Sequence, residues 1–124
     1  MNGGAASAVL TSFTAVFTDG GTSCGDLATA TVSWTVNASV VDGSHDLRIY
    51  RTRAGIRALI YTEVSPASNL SYVDDLENFE DVGSGIFYVY AYDYELIAAG
   101  PTVIDSGAAP EPVTVEMNAD VCPG

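Results

Sequence analysis

The chain has 124 residues, 48% of them hydrophobic, enough for one domain around a single core. Sixteen acidic and four basic residues set the net charge at −12, and there is no lysine. A surface of that sign repels phosphate and so argues against nucleic-acid and anionic-lipid binding, and no apolar run approaches the roughly 20 residues a membrane helix needs. The first eight residues lack Lys and Arg and therefore the charged start of a secretory signal. The expectation is a chain without a leader, or one whose leader was replaced by Met1.

Residues 9–17 are rich in β-branched and aromatic side chains and predict a first strand. Residues 19–26 are glycine-rich and predict a loop. Residues 28–37 alternate strictly, with Ala28, Ala30, Val32, Trp34 and Val36 set against Thr29, Thr31, Ser33 and Thr35. That is the period of a half-buried strand. Asp42, Gly43 and Ser44 read as a turn. Residues 46–53 and 57–64 predict the third and fourth strands, hinged at Ala54 and Gly55. Residues 65–69 break the chain at Pro66, and 70–73 predict a short fifth strand. Residues 74–85 read as an acidic connection, 86–93 as the sixth strand and 112–117 as the last. Between those two, residues 94–111 form a long connection with Leu96, Ile97, Val103 and Ile104, enough for a short extra hairpin. Seven strands and no helical period predict an all-β, seven-stranded antiparallel sandwich. It is one domain over 1–124, with its core at 8–118 and short tails.

Four sets of residues in order carry a family resemblance: Trp34; Leu47, Ile49, Tyr50 and Arg51; Ser71, Tyr72 and Asp74; and Phe87, Val89, Ala91 and Asp93. Over residues 28–118 the chain resembles fibronectin type III-like, or immunoglobulin-like, β-sandwich domains of the kind found in bacterial surface and phage virion proteins. It departs from them at Gly85, where a Tyr commonly opens the sixth strand, and in its long 94–111 connection. The resemblance implies that strands one, two and five pack on strands three, four, six and seven. Val32, Trp34 and Val36 would then face Leu47, Ile49, Phe87, Val89, Val113 and Val115, with Trp34 as the anchor.

With Phe87, Val89 and Ala91 inward, Tyr88, Tyr90 and Tyr92 face outward, and Tyr94 lies just beyond. Arg48 and Tyr50 have the outward parity on the neighbouring third strand. Tyr and Arg are enriched at binding hot spots, so these six residues form the expected protein interface. The plainer reading is that tyrosines simply suit an exposed strand.

Other candidates carry less. His45, the single histidine, lies between Ser44 and Asp46, but neighbours on a strand point to opposite sides and make no triad; no catalytic residue and no cofactor is expected. Asp74, Asp75, Glu77, Glu80 and Asp81 are a weak candidate for Ca²⁺, with spacing unlike the twelve-residue loop; a solvated acidic loop is the simpler reading. Two Cys and one His do not suit zinc. Asn37 and Asn69 open glycosylation triplets. In the implied fold Cys24 and Cys122 fall at the same pole, and a disulfide between them is expected.

Together these readings predict a non-enzymatic structural or adhesive accessory module. The first expectation is a decoration-type protein of a virion capsid or tail, attached non-covalently in many copies at the virion surface. Its partners would be other structural proteins of the particle or further copies of itself, without nucleic acid or membrane insertion. The alternative is a secreted or cell-surface module binding carbohydrate or protein.

Overall fold

The computed structural model describes residues 7–19, 27–78 and 87–116. They form eight strands: β1 (Leu10–Asp19), β2 (Leu27–Val36), β3 (His45–Arg53), β4 (Ile56–Glu63), β5 (Ser71–Asn78), β6 (Phe87–Ala98), β7 (Thr102–Ala108) and β8 (Val113–Glu116). No helix occurs among the described residues. Two antiparallel sheets make a sandwich. One has three strands in the order β1-β2-β5; the other has five, in the order β4-β3-β6-β7, with β8 also paired to β6.

The alternation in β2 does what its period requires. Ala30, Val32 and Trp34 are buried to 1% exposure or less, and Val36 packs against the same core. Leu47 and Ile49 meet them from β3, Phe13 and Ala15 from β1, Leu76 from β5 and Val113 from β8. Trp34 leaves one polar atom to satisfy, and its indole N–H donates to the Pro66 carbonyl at 3.0 Å. The break at 65–69 therefore also caps the core. Ala54 and Gly55 both have positive φ, 53° and 80°. This is the pair of left-handed residues that a tight two-residue hairpin between β3 and β4 needs.

The sixth strand is the principal correction. Tyr90, Tyr92, Tyr94 and Leu96 face the core, with Tyr90 fully buried, while Val89 is 48% exposed and Ala91 is also exposed. The inward and outward sides are thus the reverse of those expected. The pairing Ile49↔Tyr94 and Leu47↔Leu96 puts these residues opposite buried β3 side chains. The side chains of Phe87, Tyr88 and Val115 lie outside the described residues.

The 94–111 connection holds the extra hairpin its apolar residues suggested, built as an extension of the sixth strand. β6 continues to Ala98, turns, and returns as β7 along its own flank. The Ala109 N–H donates to the Tyr92 carbonyl at 2.9 Å, and β8 resumes the pairing at Val113↔Tyr90. β7 and β8 thus run one after the other along β6. Pro110 and Pro112 stand in the gap, where a residue without an N–H cannot donate to the ladder. The fifth strand also outruns its expected bounds. It extends to Asn78 because Asp74 and Leu76 take inward positions beyond Tyr72.

Gly107 pairs with Tyr94 and lies beneath its ring. A Cβ built there falls 3.0 Å from Tyr94 Cε1. The ring cannot retreat freely, since Phe13 packs 4.8 Å away on centroids and the Tyr94 hydroxyl is bonded to Asp105. Gly107→Ala should therefore cost about 1–3 kcal/mol by overpacking, read as a lowered urea midpoint. A change within about 0.5 kcal/mol would show that the ring is free to move.

Candidate functional site

Outward positions of the five-stranded sheet bring together residues from three strands. Arg48, Tyr50 and Thr52 on β3 pair with Glu95, Asp93 and Ala91 on β6, and Tyr50 and Thr52 pair with Leu59 and Arg57 on β4. The Arg57 guanidinium lies over the Tyr50 ring, 3.6 Å from its centroid. From there it binds Asp93, with Nε donating to Oδ2 at 3.0 Å. The Tyr50 hydroxyl donates to Glu95 Oε1 at 2.7 Å. The bond to Glu95, and secondarily burial, raise the Tyr50 pKa above the ordinary value. Asp93 does the same for Arg57. The four side chains therefore hold one another in place, and the ring and guanidinium are fixed by contacts within the chain. Leu59 at 51% exposure and Val89 at 48%, with Ala91 and Ala108, add apolar surface to the face, beside Arg48, Thr52, Ser106 and Thr114.

Of the six expected interface residues, the structure leaves two on this face, Arg48 and Tyr50. Tyr90, Tyr92 and Tyr94 line the core, and the Tyr88 side chain lies outside the described residues. Sequence reasoning missed Arg57, Leu59 and Asp93. The available signal was parity: Asp93 and Glu95 share one side of the strand, and Tyr92, Tyr94 and Leu96 share the other. Ending the strand at residue 93 hid it.

The buried tyrosines need acceptors for their hydroxyls. Tyr92 donates to Asp74 Oδ2 at 2.6 Å, and Arg51 Nη1 donates to the same oxygen at 2.7 Å. Asp74 comes from β5 in one sheet, Arg51 and Tyr92 from β3 and β6 in the other, so this triad, with Asp74 and Tyr92 buried and Arg51 partly exposed, ties the two layers together. A second tie sits at the far flank. The Tyr94 hydroxyl and the Leu10 N–H both donate to Asp105 Oδ2, at 3.0 and 2.9 Å. Tyr61 and Tyr72 add a stacked pair across the layers at 4.0 Å.

Of the five acidic candidates only the Asp74 and Asp75 side chains are described, and they do not converge. Asp74 is buried and engaged, and Asp75, its neighbour on the strand, is exposed on the opposite side. Glu80 and Asp81, with the Glu77 side chain, lie outside the described residues. Among the described residues no group of three or more His, Cys, Asp or Glu is placed to hold a metal ion. His45 Nδ1 accepts from the Val41 N–H at 2.9 Å and shapes the turn before β3. The Asn37 side chain is engaged too, accepting from Val9 N–H and donating to the Ser7 carbonyl. Asn69 is exposed and donates to Glu63. Cys24 and Cys122 lie outside the described residues.

The buried phenols carry a pH dependence. Burial, then the bond to Asp74, raises the Tyr92 pKa strongly; burial, then the bond to Asp105, pushes Tyr94 up to about 12. A folded pKa above the unfolded value means the folded state holds the proton more tightly. That stability is complete below tyrosine's ordinary value near 10 and is lost as pH rises through about 12. Thermal midpoints should therefore hold steady to about pH 10 and then fall steeply. Tyrosinate absorbance of the buried rings should appear only above the ordinary tyrosine range, near pH 12 for Tyr94 or with unfolding. Full ionisation of all tyrosines in a still-folded chain would contradict this.

No protein-family model, no curated protein and no solved structure matches the chain.

Proposed function

We propose that this domain is a non-enzymatic accessory module that attaches through the outer face of its five-stranded sheet. The observation that carries the reading is the Arg57–Tyr50 stack, fixed by Asp93 and Glu95 amid Leu59, Val89 and Ala91. An aromatic ring, an arginine and exposed aliphatic side chains on a rigid sheet match the make-up of interface centres. Preorganisation lowers the ordering cost of association. We read the sandwich as fibronectin type III-like, because the order β1-β2-β5 against β4-β3-β6 agrees with the sheets that the resemblance implies.

The setting that fits best is the exterior of a particle, such as a virion capsid or tail, with many copies bound non-covalently. The −12 charge suits an outward layer, since like-charged surfaces resist non-specific sticking. A sugar-binding platform would need exposed rings for stacking, and with Tyr90, Tyr92 and Tyr94 in the core that alternative has less support.

The test is attachment. Purified particles should carry the protein in repeated copies by mass spectrometry and imaging. Tyr50→Ser with Arg48→Glu should release it, by about tenfold or more in affinity, without lowering its thermal midpoint by more than a few degrees. A protein found only as a secreted, sugar-binding monomer would refute the reading.

A further inference from the structure

The geometry points to a second interaction surface, the free edge of β4, which pairs antiparallel with β4 of a second copy of this chain. β4 is the outer strand of its sheet, and among the described residues it pairs only with β3. Its other edge presents unpaired backbone groups, a template for another strand. The side chains along it do little to guard that edge. Ile56 is 71% exposed, Leu59 51%, and Ala58 is exposed between them. Lys and Pro, the usual edge guards, are absent from the strand. Its one cation, Arg57, is drawn back over the sheet face by Tyr50 and Asp93.

The other edges are different. β5 carries the exposed Asp75, β7 and β8 are separated by Pro110 and Pro112, and the Leu10 N–H at the start of β1 is already taken by Asp105.

Charge favours a second copy as the occupant. All four cations lie on β3 and β4: Arg48, Arg51, Arg53 and Arg57. Arg51 and Arg53 pair with Ala58 and Ile56, directly beside the free edge. Arg51 is paired with Asp74 and Arg57 with Asp93, so in a chain of net charge −12 this edge carries little net charge, and two copies approach here with less repulsion than across the acidic remainder. A two-fold axis perpendicular to the sheet makes the pairing antiparallel and keeps each face continuous. Centred on Ala58, it sets Arg57 of each copy beside Leu59 of the other and keeps the two arginines off each other. The bulge that leaves Ile60 unpaired with β3 ends the regular stretch.

Sedimentation velocity on the whole chain tests this. A reversible monomer–dimer equilibrium is expected below about 1 mM. It should tighten about tenfold as salt rises from roughly 0.02 to 0.5 M, because screening shortens the Debye length from about 20 to about 4 Å. Ala58→Glu, which puts two like charges on the axis, should weaken it about tenfold or more, and so should Ile56→Lys. Both positions are exposed, so thermal midpoints should match the parent's. In the parent, β4 amides should exchange more slowly as concentration rises. A monomer at every concentration and salt, or a dimer indifferent to both substitutions, overturns the proposal. Attachment to a particle through the sheet face could survive either result, so the two surfaces are tested apart.

Discussion

Tyr90→Ser is expected to bring the domain to the edge of unfolding, while Val89→Ser leaves it folded. Tyr90 is fully buried between the sheets. Cutting it to serine removes a ring from a packed core and leaves a hydroxyl in its place. Large-to-small changes of this kind cost about 3–5 kcal/mol, against a total stability of about 5–15 kcal/mol for a domain. The change also removes the ring beneath Arg51, whose guanidinium lies 5.6 Å from the Tyr90 centroid. Val89 is one residue away, 48% exposed and paired with Thr114 on the outward face. Its replacement loses strand propensity worth about 0.5–1 kcal/mol. Urea unfolding followed by Trp34 fluorescence separates the two. If Val89→Ser proves the more damaging, the assignment of inner and outer faces in β6 is wrong.

Asp74→Ala should be nearly as costly, for a different reason. Its carboxylate is the shared acceptor for the Tyr92 hydroxyl and the Arg51 guanidinium. Removing one partner of a buried pair leaves the others desolvated without a bond, typically at about 3–5 kcal/mol. The lower end, about 3 kcal/mol, applies here, because the Arg51 side chain keeps 26% of its surface exposed and can turn toward water. Tyr92→Phe removes one hydrogen bond to a charged group and should cost about 1.5–2 kcal/mol. The three residues act as a unit, so Asp74→Ala combined with Tyr92→Phe should cost less than the sum of the two. Additive losses in chemical denaturation would show that the triad is not coupled.

Much of the scaffold was legible in the chain. Strict alternation in residues 28–37 located β2 and its inward side, since Thr and Ser on one parity and Trp34 with Val32 on the other leave one way to bury the strand. β3 was equally clear from Leu47 and Ile49. The hairpin at Ala54 and Gly55 showed in the glycine. Of the candidate site, Arg48 and Tyr50 followed from β3 parity alone. Arg57 did not, because its role is to reach across Tyr50 to Asp93, and which strand lies beside which is not written in local spacing.

The sixth strand marks the boundary between the two kinds of information. A period of two says that a strand has two faces; it names the inner one only when the faces differ in polarity. Between residues 86 and 92 both faces of this strand carry apolar or aromatic side chains, so local pattern over that stretch left the choice open, and only Asp93 with Glu95 beyond it marks the outer side. Tertiary structure made the choice. Tyr92 and Tyr94 can go inside because Asp74 and Asp105 arrive from other strands to accept their hydroxyl protons, and Gly107 leaves room for a ring. The all-β class, the alternation and the acidic charge were determined by composition and spacing, which act along the chain. The buried tyrosines, the triad between the sheets and the ordered Arg57–Tyr50 face depend on carboxylates and cations far apart in sequence, and only the packing of one sheet on the other decided where they meet.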